Sequence, residues 1–257
     1  MSSSGSKTRG LLWVAAAALF AAVMVIGLPV LARHTPWRME RWLAGVFGGA
    51  PAAPPCKGRG QADSFAQFQR VVKRIYPLDA EDNALPITID VIPGKTVNAY
   101  ATLGGHIYVI DGLLQQARSA EELAGVLAHE IEHVRNRHIM QGVAVNLLTL
   151  GAFAVAMPGD PTAGSQIAYL LLTLKFSRQQ EYEADEAGLR RLQAAHVDAA
   201  GFRNFFERAE KMAAPPQILS NHPPSEARAE LAARYRGYAT EPVLTDNEWK
   251  TLTAICQ

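Results

Sequence analysis

SAEELAGVLAHEIEHVRNRH, residues Ser119 to His138, has the marks of an amphipathic helix. Ser119 is followed three residues later by Glu122, the opening of a capping box. Leu123, Val126, Leu127, Ile131 and Val134 then form an apolar stripe. At about 100° per residue, His129 and His133 lie one turn apart and about 40° around the axis, so both imidazoles can reach one metal ion. Glu130 sits about 100° away, where its carboxylate can hold a water beside that metal. Glu132 points elsewhere and reads as a solvated or structural carboxylate.

A catalytic zinc needs a third protein ligand and an open position. The metzincin continuation would require Gly at 136 and His at 139, but those positions hold Asn136 and Ile139. His138 follows too closely on the same helix to converge with the other two. A carboxylate from a second helix is the remaining common solution, and SRQQEYEAD, Ser177 to Asp185, supplies candidates. Glu181 and Asp185 are four apart and share a face. Ala184 and Gly188 beside them are small enough for that helix to approach the histidine helix. Glu183 is the reserve candidate, and a solvated acidic helix face is the competing reading.

Working outward, Asp63 to Tyr76 carries Phe65, Phe68, Val71, Val72 and Ile75 at helical spacing. Pro86 to Pro93 alternates apolar and polar residues and reads as a strand. Val97–Thr102 and His106–Asp111 read as two more, with Gly104-Gly105 as the turn between them. Beyond Ser119 the pattern is almost wholly helical, so the fold class is α+β: mostly helical, with a small β-sheet. Ile139–Met157 and Ile167–Phe176 are apolar. They read as buried helices or as a surface leaning on a bilayer, since the second is too short to span one.

From Leu11 to Ala32 no charge occurs in 22 residues, long enough to cross a hydrocarbon core. The run reads as a single transmembrane anchor, the alternative being a signal sequence cleaved after Val30-Leu31-Ala32. Two basic residues before it (Lys7, Arg9) and three after (Arg33, Arg38, Arg41) leave its orientation undecided. The organisation is a tail over 1–10, the anchor over 11–32, a linker over 33–55 that ends in Gly/Ala/Pro residues, and a folded domain over 56–257. Cys56 and Cys256 bracket that domain. They are either one bridge between its ends or two unrelated thiols, and a bridge favours an extracytoplasmic domain. A net charge of +1 gives no basic excess to neutralise phosphates, which argues against nucleic acid as a partner.

HEIEH, then SRQQEYEAD, then NHPPSEAR (Asn221 to Arg228) resembles the HtpX/BepA-type family of membrane-associated zinc metallopeptidases, of the gluzincin type. VNAYATLGGHIYVIDGLL, Val97 to Leu114, is similar to the family's segment just upstream of the zinc helix, and the resemblance runs from Ala62 to Tyr238. It implies one Zn2+ per chain, held by His129, His133 and Glu181, with Glu130 as general base and Asp185 orienting a ligand histidine. It also implies that Asn98-Ala99 lies on an edge strand where an extended substrate pairs. His222 and Arg228 would sit close to the zinc. There His222, together with Arg228, stabilises the developing oxyanion, or His222 instead fills the fourth zinc position as a plug. The expected function is cleavage of protein or peptide substrates in quality control of a bacterial envelope, from the periplasmic side of the membrane. The rival readings are a zinc-fold binding protein with a plugged site and a membrane-organising protein in which HEIEH is incidental.

Overall fold

The computed structural model describes residues 12–15, 19, 27–47, 53–56, 62–77, 87–146, 175–222 and 226–257. Its elements are α1 (Leu28–Arg33), α2 (Trp37–Phe47), α3 (Ala62–Ile75), β1 (Thr88–Ile92), β2 (Ala99–Thr102), β3 (His106–Ile110), α4 (Asp111–Gln116), α5 (Ala120–Arg135), α6 (Arg178–Ala194), α7 (Ala200–Glu210), α8 (Gln217–Asn221), α9 (Glu226–Arg234) and α10 (Asp246–Leu252).

Helix α5 starts where Ser119 Oγ accepts the Glu122 N–H at 3.3 Å. The reciprocal half of the expected capping box is replaced. The Glu122 carboxylate instead accepts from the Arg118 N–H at 2.9 Å and from the Arg208 guanidinium, a charge-assisted partner. Helix α5 is buried on every side rather than along one stripe, because α3, α6, α7 and β2 all pack on it. Small residues make this possible. A Cβ on Gly188 of α6 would stand 3.3 Å from the α5 backbone at Ala128 and His129, and one on Gly125 of α5 would strike Phe202 of α7 at 2.7 Å. The first contact is the close approach expected from Ala184 and Gly188.

The sheet is three-stranded in the order β1-β3-β2, with β1 parallel and β2 antiparallel to β3. Gly104 and Gly105, at φ of +83° and +84°, make the β2–β3 turn in the left-handed region that glycine occupies without strain. Strand β2 lies at the sheet edge, against α5.

Cys56 and Cys256 are bonded, with the S–S distance at 2.04 Å, so the ends of the domain are joined. The Cys56 N–H also donates to Val91 O of β1 at 2.7 Å. The stretch 33–55, read as a linker, contains helix α2. Its inner face carries Glu40, whose carboxylate accepts from the Gly104 N–H at 3.1 Å and pairs with Arg137 at 2.7 Å.

Half of Leu11–Ala32 lies outside the described residues, as does most of Ile139–Met157 and Ile167–Phe176. Among the described residues no helix is long and apolar enough to cross a membrane. Residues 138–146 are helical, and Ile139, Met140 and Val143 are buried.

Candidate metal centre

One turn of α5 delivers His129 and His133 side by side, with their Nε2 atoms 3.0 Å apart. Opposite them, α6 begins at Ser177 with a full capping box: its Oγ accepts the Gln180 N–H, and the Gln180 side chain accepts the Ser177 N–H at 2.9 Å. That cap directs Glu181, in the first turn, at the two rings. Glu181 Oε1 is 3.4 Å from His133 Nε2, and Oε2 is 3.7 Å from His129 Nε2. A fourth donor comes from the end of α8, where His222 Nδ1 stands 3.0 Å from both His129 Nε2 and Glu181 Oε1.

The four donor atoms lie within 4.8 Å of one another, and all four residues are buried. Ligands at about 2.0–2.1 Å in a tetrahedral zinc shell are about 3.3 Å apart, so this donor set fits such an ion. Glu130 Oε1 faces the cluster: it lies 3.2 Å from His222 Nε2 and makes no hydrogen bond among the described residues, whereas Oε2 accepts the Ala101 N–H of β2 at 3.1 Å.

Three of the four donors are braced from behind. Asp185 Oδ1 is 2.8 Å from His129 Nδ1. Arg228 on α9 donates from Nε to Asp185 Oδ2 at 2.8 Å and from Nη2 to Glu181 Oε2 at 3.0 Å. His133 Nδ1 stands 3.0 Å from His138 Nδ1, whose other nitrogen is 3.3 Å from Glu183. Glu183, the reserve ligand, is therefore outside the cluster, half-buried and paired with His138 and Arg33. Glu132 takes the structural reading, buried and bonded to Arg191 at 2.8 Å.

The electrostatics follow from burial and neighbours. Burial raises the Glu130 carboxyl above the ordinary range, against the opposing pull of His222 and His129. Burial alone would also raise Glu181, but hydrogen bonds from His133 and His222 outweigh it and hold that carboxyl well below its usual value. Burial pushes His133 down. His222 is raised, because the Glu130 and Glu181 charges overcome its desolvation. Carboxylates and rings in such a sealed place must neutralise one another or share a cation.

At the edge strand the two expected residues differ. Asn98 O accepts the Ile110 N–H at 3.0 Å, so the Asn98 backbone faces β3, and its buried Oδ1 has no hydrogen-bonding partner among the described residues. By strand alternation the backbone of Ala99 turns away from β3, at a residue that is itself fully buried. There Val97 O already accepts the Ile218 N–H of α8 at 3.3 Å. Two contacts carried no sequence signal. Phe176 stacks on the His133 ring with centroids 3.9 Å apart, and the Ala101 N–H reaches Glu130. Both are tertiary and leave no periodic trace.

The chain matches peptidase family M48 over residues 62–235. It is 33% identical over 168 residues to a putative beta-barrel assembly-enhancing protease of Vibrio cholerae, covering 58% of this chain and 34% of that protein. It is 30% identical over 182 residues to the beta-barrel assembly-enhancing protease of Escherichia coli, covering 63% and 37%. The mitochondrial metalloendopeptidase OMA1 of Arabidopsis thaliana is 34% identical over 150 residues, 56% of this chain and 30% of that one. The chain thus spans about a third of the length of these relatives. The matched region runs from the first residue of α3 past the end of α9, across every element that contributes to the donor cluster, and the chain therefore belongs to peptidase family M48.

Proposed function

We propose that the chain is a zinc-dependent endopeptidase, anchored to a membrane through Leu11–Ala32 and acting on envelope proteins as part of their quality control. The observation that carries the chemistry is the convergence of His129, His133 and Glu181 in a buried cluster beside the Glu130 carboxylate. These three residues would hold the zinc. When bound, the ion lowers the pKa of a water towards neutrality and polarises the scissile carbonyl.

Glu130, raised by burial, takes the proton of the attacking water on Oε1 and passes it to the leaving nitrogen. The Ala101 N–H holds its other oxygen and so aims it. Asp185 fixes the His129 ring, and Arg228 in turn fixes Asp185 and Glu181. An extended substrate would pair with the backbone of Ala99 on the side of β2 away from β3, in place of the Ile218 N–H that now bonds Val97 O. His222 lies within donor distance of His129 and Glu181, which favours the plug over the oxyanion role in this conformation. The envelope assignment rests on the names of the bacterial relatives and on the Cys56–Cys256 bridge, which suits an oxidising compartment.

A second reading, a zinc-fold binding protein with a closed site, is favoured by the near-complete burial of the cluster. Casein cleavage by the full chain, beside Glu130→Gln and His222→Ala, separates the two. Endopeptidase function requires cleavage by the wild type or by His222→Ala, and a loss of about 100-fold or more in Glu130→Gln with zinc still bound. Cleavage by neither wild type nor His222→Ala would favour the binding protein.

A further inference from the structure

Helix α2 presents an outward face that nothing among the described residues covers. Met39, Trp42 and Val46 are 53%, 65% and 55% exposed. At i, i+3 and i+7 they fall within about 60° of one another and form an apolar stripe. Arg38 and Arg41 border it along one side, both exposed, and the one acidic residue of the helix, Glu40, points inward. An apolar stripe with Trp, bordered by Arg and free of acids, suits the boundary between anionic headgroups and acyl chains. On α1, just before it in sequence, Val30 and Leu31 are also exposed. Only four residues separate Ala32, the end of the uncharged run, from Trp37.

Two ties connect this segment to the metal centre. Arg137 follows the C-cap of α5, Asn136, in the left-handed region at φ of 62°. Its guanidinium lies 3.9 Å over the Trp37 ring, pairs with Glu40 and donates to Thr35 O. From α1, Arg33 bonds Glu183 at 3.1 Å, and Glu183 reaches His133 through His138.

We propose that α2 is a lipid-surface helix that lies on an anionic bilayer through Met39, Trp42 and Val46, and through the Arg137 clamp holds the zinc helix at a set orientation to that surface. The proposal rests on the membrane-anchored reading given above.

The test uses the full chain with one added cysteine, Met39→Cys, carrying an environment-sensitive fluorophore, the native pair being bridged. The chain is reconstituted in phosphatidylcholine vesicles with or without phosphatidylglycerol. Lys250→Cys on α10, an exposed position, serves as reference. Vesicle flotation reports anchoring separately. We expect the probe at 39 to be quenched about twofold or more by lipids carrying a nitroxide near the headgroup, to be shielded from aqueous iodide, and to lose this when Arg38→Glu/Arg41→Glu is added. The probe at 250 should show the reverse. A floating chain whose position 39 is as open to iodide as position 250 overturns the proposal. So does one shielded from both quenchers, since protein would then cover the stripe. A chain that does not float refutes the anchor itself, and the lipid-surface role with it.

Discussion

Arg228, Asp185 and Glu181 are buried together, and none would be stable there alone. Two nitrogens of the guanidinium are engaged by the two carboxylates, so the side chain acts as their counter-charge. Removing one partner of such a group leaves an uncompensated buried charge, at a cost of about 3–5 kcal/mol. Arg228→Ala should therefore lower unfolding stability in urea by about that amount and weaken zinc binding by about 10–100-fold. A stability and zinc stoichiometry equal to wild type would show that the carboxylates hold without it. This role was only half legible in the sequence. The family resemblance put Arg228 near the metal, but which atoms it meets depends on how α9 packs on α6. His129, Glu130 and His133 were legible because one helical turn relates them. Glu181 needed a second helix and the resemblance to choose it over Glu183, since one helix face cannot say which carboxylate looks inward. His222 follows a helix of five residues, too short to show a period.

Helix α5 was readable in its start and its metal-facing turn, but burial on all its sides was not. Four neighbours from distant parts of the chain create that burial, and a single stripe cannot announce them. Helix α2 went unread for another reason: its inner side mixes Glu40 with Trp37, Leu43 and Ala44 while Met39, Trp42 and Val46 face out, so no single apolar face marks the core side. The contact of α6 with α5 is where element packing sets the site. Gly188→Leu would press against the Ala128–His129 backbone and separate the two helices, costing about 1–3 kcal/mol. The same shift moves Glu181 and Asp185 away from the histidines. The variant should fold with a lowered midpoint yet bind less than one zinc per chain, as measured by metal analysis after gel filtration. Full zinc occupancy would mean that the helices can separate without opening the donor set.

At the scale of the molecule, the α+β class and the small sheet were legible from the alternation in Pro86–Asp111 and the helical pattern after it. The sheet order was not, because β1 and β3 pair in parallel with β2 inserted between them in sequence. The Cys56–Cys256 bond closes a loop of 200 residues, so it restricts the unfolded chain over almost the whole domain. Reduction should cost about 2–4 kcal/mol and lower Tm by about 5–15 °C. Calorimetry with and without reductant measures this, and Cys56→Ser/Cys256→Ser should show the lower Tm and no response to reductant. The burial of all four donor residues, finally, bears on exchange. A chelator cannot reach an ion enclosed by groups at most 1% exposed until the fold opens locally. Loss of zinc to EDTA should then proceed at a rate that stops rising with EDTA concentration, because opening sets the pace. His222→Ala should speed it, so the lifetime of the bound metal becomes a clock for how often this enclosure opens.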